Sequence, residues 1–547
     1  MPETTGDGAV GKAIRSYFRE FGALRECGRD FWVVQLVNLL DGVAYFAMLT
    51  VSTLYLSETL GYDDKNAALL WMAVMMLYTA VGLVAGFLGD SLGIKRTLHL
   101  SVVLLVVSRI AISFTESRAI VIPSLFVIAV GTAIMTPILI SATKRYTTAK
   151  SQTAGFNMLY FLMNSGAFLG NIILDPLRAS EWGNRGAFMI GSLMSILCWL
   201  AILLFWSRGI DDVDEQLRRD RVRRAGAESN AGPDGGNQTE KKWEARWTIA
   251  ASVCRETAFW RFMLFLVILI GVRLVFEHQS QVYPKYYQRT IAEYLFRADT
   301  QFADALDAAA APEALRQEFE QNGHLISDEA KVEVNEEGSR WQVKDGDTTY
   351  YLRKDEGQIS IYAADAPIGR LNSINPFIIC IGVILSTPIV ARFKLFNVMF
   401  VGVCVSAVSM VFLTIYPGWF AGMFGLSLSQ GYLAITLAQI IVFSIGELIW
   451  SPRLYEYTAA IAPEGREASY MGLSYLPTFF ARFSEGPLAG EMLTRYCPPD
   501  MGSRLTTVPY LDSPQFMNVI LAAIALATPL LILLLRGVIQ KEARTNV

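Results

Sequence analysis

The stretch "GFLGDSLGIKR" (86–96) joins two long apolar runs through a short polar turn. Gly86, Gly89, Ser91 and Gly93 let two helices turn back on each other closely. Asp90, Lys95 and Arg96 supply charges suited to neighbouring helix ends, where backbone dipoles leave partial charges. Runs long enough to cross about 30 Å of hydrocarbon, roughly 20 residues each, recur on both sides of this turn. They read as 31–57, 67–89, 97–115, 119–143, 152–174, 186–207, 258–283, 370–391, 396–416, 429–451, 467–493 and 515–536. The composition agrees: of 547 residues, 53% are hydrophobic and 18% charged, with a mean hydropathy of +0.35. The expected fold is an all-α membrane protein of twelve transmembrane helices in two six-helix bundles.

Lys and Arg placement sets the expected orientation, because basic loops stay in the cytoplasm. With the N-terminus inside, cytoplasmic segments hold 27 Lys/Arg, counting Arg536 at the end of the last span, and the short external loops hold 6. Both termini are therefore expected inside a plasma or bacterial inner membrane, with no cleaved signal ahead of the first span. The organisation is then a cytoplasmic N-terminal segment (1–30), a first six-helix bundle (31–207), a cytoplasmic linker (208–257) and a seventh span (258–288). An insert (289–369), helices eight to twelve (370–536) and a cytoplasmic tail (537–547) follow. The linker contains "AGAESNAGPDGGNQTE", too polar to bury a core.

The insert holds 17 Asp/Glu against 8 Lys/Arg and falls outside under this topology. "AEYLFRADTQFADALDAAAAPEALRQEFEQNG" (292–323) reads as helical, through Leu295, Phe296, Phe302, Leu306, Leu315 and Phe319, with a glycine stop. Alternating segments follow, "KVEVNE", "SRWQVKDGD", "TTYYLRKDEG" and "QISIYA", with turn signals at Asp345-Gly346 and Glu356-Gly357. The expectation is a small extracytoplasmic α+β domain, either a structural cap or spacer or a partner-binding or substrate-shielding element.

"GFLGDSLGIKR" resembles the loop signature of the major facilitator superfamily, G-x-L-x-D-x-x-G-x-[KR]. That resemblance implies two halves rocking around a central site, with Asp90, Lys95 and Arg96 as gating residues. A narrower resemblance is to the proton-dependent oligopeptide transporter family. "FNMLYFLMNSGAFLG" (156–170) is similar to its fifth-helix signature through Phe156, Tyr160, Asn164 and Gly166. "LNSINPFIICIGVILSTP" (371–388), "GELIWSPRLYEYTAAIAP" (446–463) and, more weakly, "FEHQSQ" (276–281) resemble its eighth, tenth and seventh helices.

Glu447 lies in an otherwise apolar run, "IVFSIGELIWSP" (441–452). A charge near the bilayer centre costs about 2.5 to 3.5 kcal/mol on insertion scales, so it is expected to face the space between the halves. The alternative is a structural hydrogen bond to a neighbouring helix. By resemblance, Glu447 matches the glutamate that receives a peptide's amino terminus. Asp41 matches one acid of the first-helix motif E-x-x-E-R-F-x-Y-Y, whose arginine is here Gly42; the fourth helix's usual Lys-Pro is Thr136-Pro137.

Asp41, Glu277 and Glu447 are therefore the proton-coupling candidates, and Tyr45, Tyr160, Asn164, Asn375 and Glu447 the substrate-binding ones. Phe46, Tyr78, Trp450 and Tyr475 are further aromatic candidates for lining the site. Arg109, Arg273 and Arg482 are deep cations. Arg273 stands four residues before Glu277 and Arg482 three before Glu485, spacings that pair them along single helix faces. Functionally, Arg273 or Arg482 is a candidate anion site in place of the missing first-half cations. His278 is either titratable or solvated near the outer end.

No metal-ligand spacing joins the three histidines and six cysteines, and neither a phosphate-binding loop nor a nucleophile elbow is present. The expectation is not an enzyme, not a nucleic-acid binder and no cofactor beyond a proton gradient. The expected partners are a small-molecule substrate, protons and the lipid bilayer. The expected function is proton-coupled symport of a small, peptide-like or modified-peptide solute by alternating access. Two alternatives stand: an exporter of amphipathic or lipophilic molecules, and a transporter-derived receptor or assembly subunit acting through its external domain.

Overall fold

The computed structural model describes residues 21–22, 24–148, 151–206, 257–298, 311–324, 326–327, 330–334, 340–345, 348–355, 358–390, 393–461 and 476–539. Almost all of the expected linker and tail lies outside these residues, as does Tyr475. Among them are twelve helices of 18 residues or more. The first six are α1 (Arg29–Leu54), α2 (Asp64–Leu92), α3 (Ile94–Ser113), α4 (Arg118–Tyr146), α5 (Gln152–Arg178) and α6 (Gly186–Phe205). The second six are α7 (Thr257–Gln281), α8 (Ile368–Val390), α9 (Leu395–Phe412), α10 (Leu428–Ile461), α11 (Leu476–Tyr496) and α12 (Pro514–Leu534).

Among the described residues nine helical stretches are long and apolar enough to cross a membrane, which makes this a multi-pass membrane protein. The polar helices α7 and α11 carry Arg273, Glu277, Arg482 and Glu485. The turn at 86–96 is tighter than a loop. Helix α2 runs to Leu92, Gly93 alone takes a left-handed φ of 86°, and α3 begins at Ile94. Only glycine adopts that conformation without a steric penalty.

Each half has its own packed interior. In the first, Val34, Val51, Trp71, Leu98, Leu125 and Phe188 belong to one buried cluster. The second half is built around Met410, Tyr432, Leu493 and Leu521, with Phe265, Met399 and Trp450 in an adjoining cluster. Inside lipid, helix association depends on close van der Waals packing and interhelical hydrogen bonds, because lipid tails are as apolar as leucine.

Between α7 and α8 the chain forms a short helix, Tyr283–Thr290, and an antiparallel sheet of β1 (Glu293–Ala298), β2 (Lys331–Val334), β3 (Arg340–Asp345), β4 (Thr348–Asp355) and β5 (Gln358–Ala364). The strand order is β1-β5-β4-β3-β2. The helix Ala311–Gln321 covers one face, where Phe319 packs with Phe296, Val343, Leu352, Ile359 and Ile361. Tyr362, on the opposite face of β5, is buried with Cys497 and Met501 beyond α11.

The continuous helix expected from 292 is thus corrected: Leu295 and Phe296 lie in β1, and the helix starts at Ala311. Backbone pairing of β1 with β5 overrode the near-helical spacing, and period two puts Phe296 and Ala298 on the face that Phe319 covers. The glycine stop holds, with Gly323 at φ 77° just past the helix. Phe302 and Leu306 lie outside the described residues.

Candidate functional site

Polar side chains from both halves meet near the middle of the helices. Asn375 on α8 donates to Glu447 Oε2 at 2.8 Å and to Ser444 Oγ at 3.1 Å, both on α10. Glu447 is buried, 8% exposed. One turn along α10, Trp450 donates its indole N–H to Ser406 at 3.2 Å. The Arg273 guanidinium carbon lies 4.7 Å from the Trp450 ring centroid and 5.7 Å from that of Phe276. Arg273 is also an electrostatic neighbour of Glu447.

Two charge partnerships differ from those that helix spacing suggests. Glu277 does not pair with Arg273 on its own helix; its carboxylate meets Arg482 Nε of α11 at 3.0 Å. Glu485 does not pair with Arg482; it meets His278 Nδ1 of α7 at 2.6 Å. The expected intrahelical pairs are corrected because α7 and α11 pack side by side and offer closer partners across the seam. His278 and Glu485 are both fully buried, which removes the solvated-histidine reading.

Arg482 also reaches the other half. Its Nη1 donates to Thr79 of α2 at 2.9 Å, and its guanidinium lies 5.1 Å from the Tyr78 ring centroid. Tyr78 stacks on Tyr45 at 6.4 Å, and Tyr45 meets Phe46 edge-on at 5.2 Å.

Asp41 faces into its own half. Arg109 of α3, 1% exposed, holds Asp41 Oδ1 at 3.2 Å and donates to Ser195 of α6 at 2.6 Å. Asn164 donates to the Tyr160 carbonyl one turn back on α5 at 2.9 Å, and Tyr160 is half-buried. The sequence difference at Gly42 has a steric cause. A Cβ there would lie 2.9 Å from the Met163 carbonyl oxygen and 3.3 Å from Gly166 Cα, so α1 and α5 touch backbone to backbone. Thr136 turns its hydroxyl to the Thr132 carbonyl at 3.2 Å. Lys95 is half-buried and Arg96 exposed at the start of α3; the Asp90 side chain lies outside the described residues.

The insert end of the helices is shut by contacts between halves that helix patterns did not reveal. Asp64, at the start of α2, accepts from Lys285 and Arg289 of the short helix after α7, each at 2.7 Å. Arg289 also donates to the Cys497 carbonyl at 2.6 Å. Glu58 accepts from Gln288 and, at 2.7 Å, from Asn184. Asp175 at the end of α5 accepts the backbone N–H groups of Gly369 and Arg370 at 2.6 and 2.9 Å, capping the first turn of α8. The spacing of Lys285 and Arg289, four apart on one face, was the available signal.

The family model described as Major Facilitator Superfamily matches residues 33–290. The chain has the major facilitator fold and is similar to proton-dependent oligopeptide transporters. Peptide transporter family 1 of Drosophila melanogaster is 27% identical over 176 residues, 29% of this chain and 24% of the relative. Dipeptide and tripeptide permease B of Photorhabdus luminescens is 23% identical over 202 residues, 36% of this chain and 40% of the permease. The matches thus span about a quarter and two fifths of those relatives' lengths.

Among solved structures, one described under substrate recognition in proton dependent oligopeptide transporters superposes with a TM-score of 0.60 at 16% identity, covering 94% of this chain and 99% of that one. A POT family transporter in complex with 5-aminolevulinic acid gives 0.61 at 16% identity, covering 94% and 97%.

Proposed function

We propose that this chain is a secondary active transporter that couples protons to the movement of a small organic solute by alternating access. The observation that carries the reading is Glu447, a buried acid at mid-depth of α10 whose hydrogen-bond partner is the neutral amide of Asn375. The fold likeness to peptide transporters supports it, as does an amino-bearing ligand in one similar structure. All twelve long helices span the membrane in this reading. The termini and linker are cytoplasmic, and 289–369 lies outside as a cap or partner-binding domain. The contacts from Asp64 to Asp175 then shut the external mouth.

Glu447 is a better proton acceptor than Asp41 on structural grounds. Protonating Asp41 would leave Arg109 buried without a counter-charge, and an uncompensated buried charge costs several kcal/mol, on the order of 3 to 5. Protonating Glu447 strands no directly bonded cation. Proton and substrate amine together neutralise the acids of the site, the penalty for closing it falls, and the halves rock with both bound. Glu277 acts through Arg482, whose hold on Thr79 ties the halves together. Tyr45, Tyr160, Asn164 and Asn375 shape the walls.

The test is uptake of candidate solutes by proteoliposomes under an imposed inward proton gradient, read beside pH change in the lumen. Solute uptake accompanied by lumen acidification is the expected result. Uptake insensitive to the gradient overturns proton coupling, and its absence for every organic solute tried overturns transport.

A further inference from the structure

Three arginines lie deep in the bundle, and two of them are paired with acids. Arg109 is locked on Asp41 and Ser195. Arg482 is held by Glu277, Thr79 and the Tyr78 ring. Arg273 differs: among the described residues it makes no ion pair or hydrogen bond, and what holds it is the Trp450 face at 4.7 Å and Phe276 at 5.7 Å. A guanidinium laid on an aromatic face keeps its N–H fork free for a planar two-oxygen partner. Bidentate pairing with a carboxylate is the strong form of that contact.

The Arg273 charge stands beside an acid. Glu447 and Trp450 are three residues apart on α10, so they share a face, and Arg273 is an electrostatic neighbour of Glu447. Among the described residues, the first-half positions suited to a counterpart do not supply one. Position 42 has no room for a side chain, Arg109 is spent on Asp41, and Thr136 is bonded to its own helix.

Resting on the reading of Glu447 as the amine-binding acid, we propose that Arg273 is the anion-binding residue of the same site. The cargo then carries its amino and acid groups on one end, as an amino-acid-type zwitterion held by α7 and α10 of one half. Its two charges meet the Glu447 carboxylate and the Arg273 guanidinium with opposite polarity, so none is left uncompensated in the membrane. The rest of the molecule extends toward Tyr45 and Tyr78. A peptide whose termini must reach opposite halves lacks a cation at its far end.

The experiment is ligand-induced thermal stabilisation of the purified full-length protein in detergent, with uptake in proteoliposomes beside it. The probes are phenylalanine, its amide, its N-acetyl form, leucine and dialanine. Phenylalanine or leucine should bind at least tenfold more tightly than the amide or N-acetyl form and more tightly than dialanine. In Arg273→Gln the preference for acid over amide should vanish while binding of the amide is retained; Arg273→Lys should restore part of it. Ligand-free melting curves show whether each variant is folded. Equal binding of acid and amide to the unaltered protein, an undiminished preference in Arg273→Gln, or failure of both zwitterions to bind overturns the proposal. Proton-driven uptake of some other solute alongside that failure leaves the broader transport reading standing.

Discussion

Glu277 reaches across to Arg482 on α11 at 3.0 Å, while Arg273, one turn away on its own helix, rests on Trp450. One acid therefore joins two helices of the second half, and through Arg482 and Thr79 it touches the first. Replacing Glu277 by Gln keeps an acceptor but leaves a buried guanidinium without its counter-charge. Loss of one member of a buried pair costs about 3 to 5 kcal/mol. Glu277→Gln should lower the melting temperature, and Glu277→Gln/Arg482→Gln should recover part of the loss. Additive losses in the double variant would show that the pair is not coupled.

The His278–Glu485 contact, also between α7 and α11, makes a second stability prediction. Both side chains are fully buried at 2.6 Å, and among the described residues His278 Nε2 and Glu485 Oε2 have no hydrogen-bond partner. His278→Ala strands the carboxylate, a loss of about 3 kcal/mol or more. His278→Gln keeps a donor in reach and should lose less. Equal melting temperatures for the two variants would count against the contact as a stabilising one.

How far these partners were legible follows from what spacing encodes. The apolar runs were readable because about 20 residues are needed to cross a bilayer, and eleven of the twelve helices start within three residues of the expected spans. The exception, α11, was expected from 467, and 462–475 lies outside the described residues. Helix α10 continues to Ile461, ten residues past its expected end, because a helix that leaves the lipid need not stay apolar, as Arg453 and Glu456 show. Glu447 stood out by being charged in an apolar run. Its partner Asn375 was visible only through a family resemblance, and Arg109 as the partner of Asp41 was not visible at all. A spacing of three or four names residues that share a face; it cannot say that a neighbouring helix supplies a nearer charge.

Close approach of α1 and α5 predicts that the missing arginine cannot simply be put back. A Cβ on Gly166 would lie 2.5 Å from the Leu39 carbonyl oxygen and 2.9 Å from Gly42 Cα. Gly42→Arg and Gly166→Leu should each destabilise the first half, by about 3 kcal/mol or more given that overpacking alone costs 1 to 3 and here the neighbour is backbone. Gly42→Arg should not create dipeptide binding. Unchanged melting with new dipeptide-induced stabilisation would overturn this.

The shut mouth can be read through a cysteine. Cys497 is buried beside Arg289, and burial pushes its thiol up to about 12. Below that value it is almost wholly protonated, and alkylation needs the thiolate. Asp64→Asn removes the anion shared by Lys285 and Arg289, so the halves should part more often and the thiol should return toward its ordinary range. Maleimide labelling at pH 8, with Cys497 as the sole cysteine, should speed up at least tenfold. An unchanged rate would mean that Asp64 does not hold this end closed.

Amide substitutions separate the roles of Glu447 and Asp41. Glu447→Gln keeps an acceptor for the Asn375 amide, so the local hydrogen bond at 2.8 Å survives, and the side chain imitates a permanently protonated acid. A carrier locked in that form has nothing to release on the low-proton side, so an imposed gradient should no longer drive accumulation, falling at least tenfold. Exchange of labelled for unlabelled solute, which needs no net proton movement, should persist at raised solute concentration, with binding weakened by loss of the carboxylate that meets the amine. Asp41→Asn should behave differently, because it strands Arg109 and acts first on stability, by about 3 kcal/mol or more. Gradient-driven accumulation by Glu447→Gln at the unaltered protein's level would place the coupling proton elsewhere, with Glu277 the next acid to test.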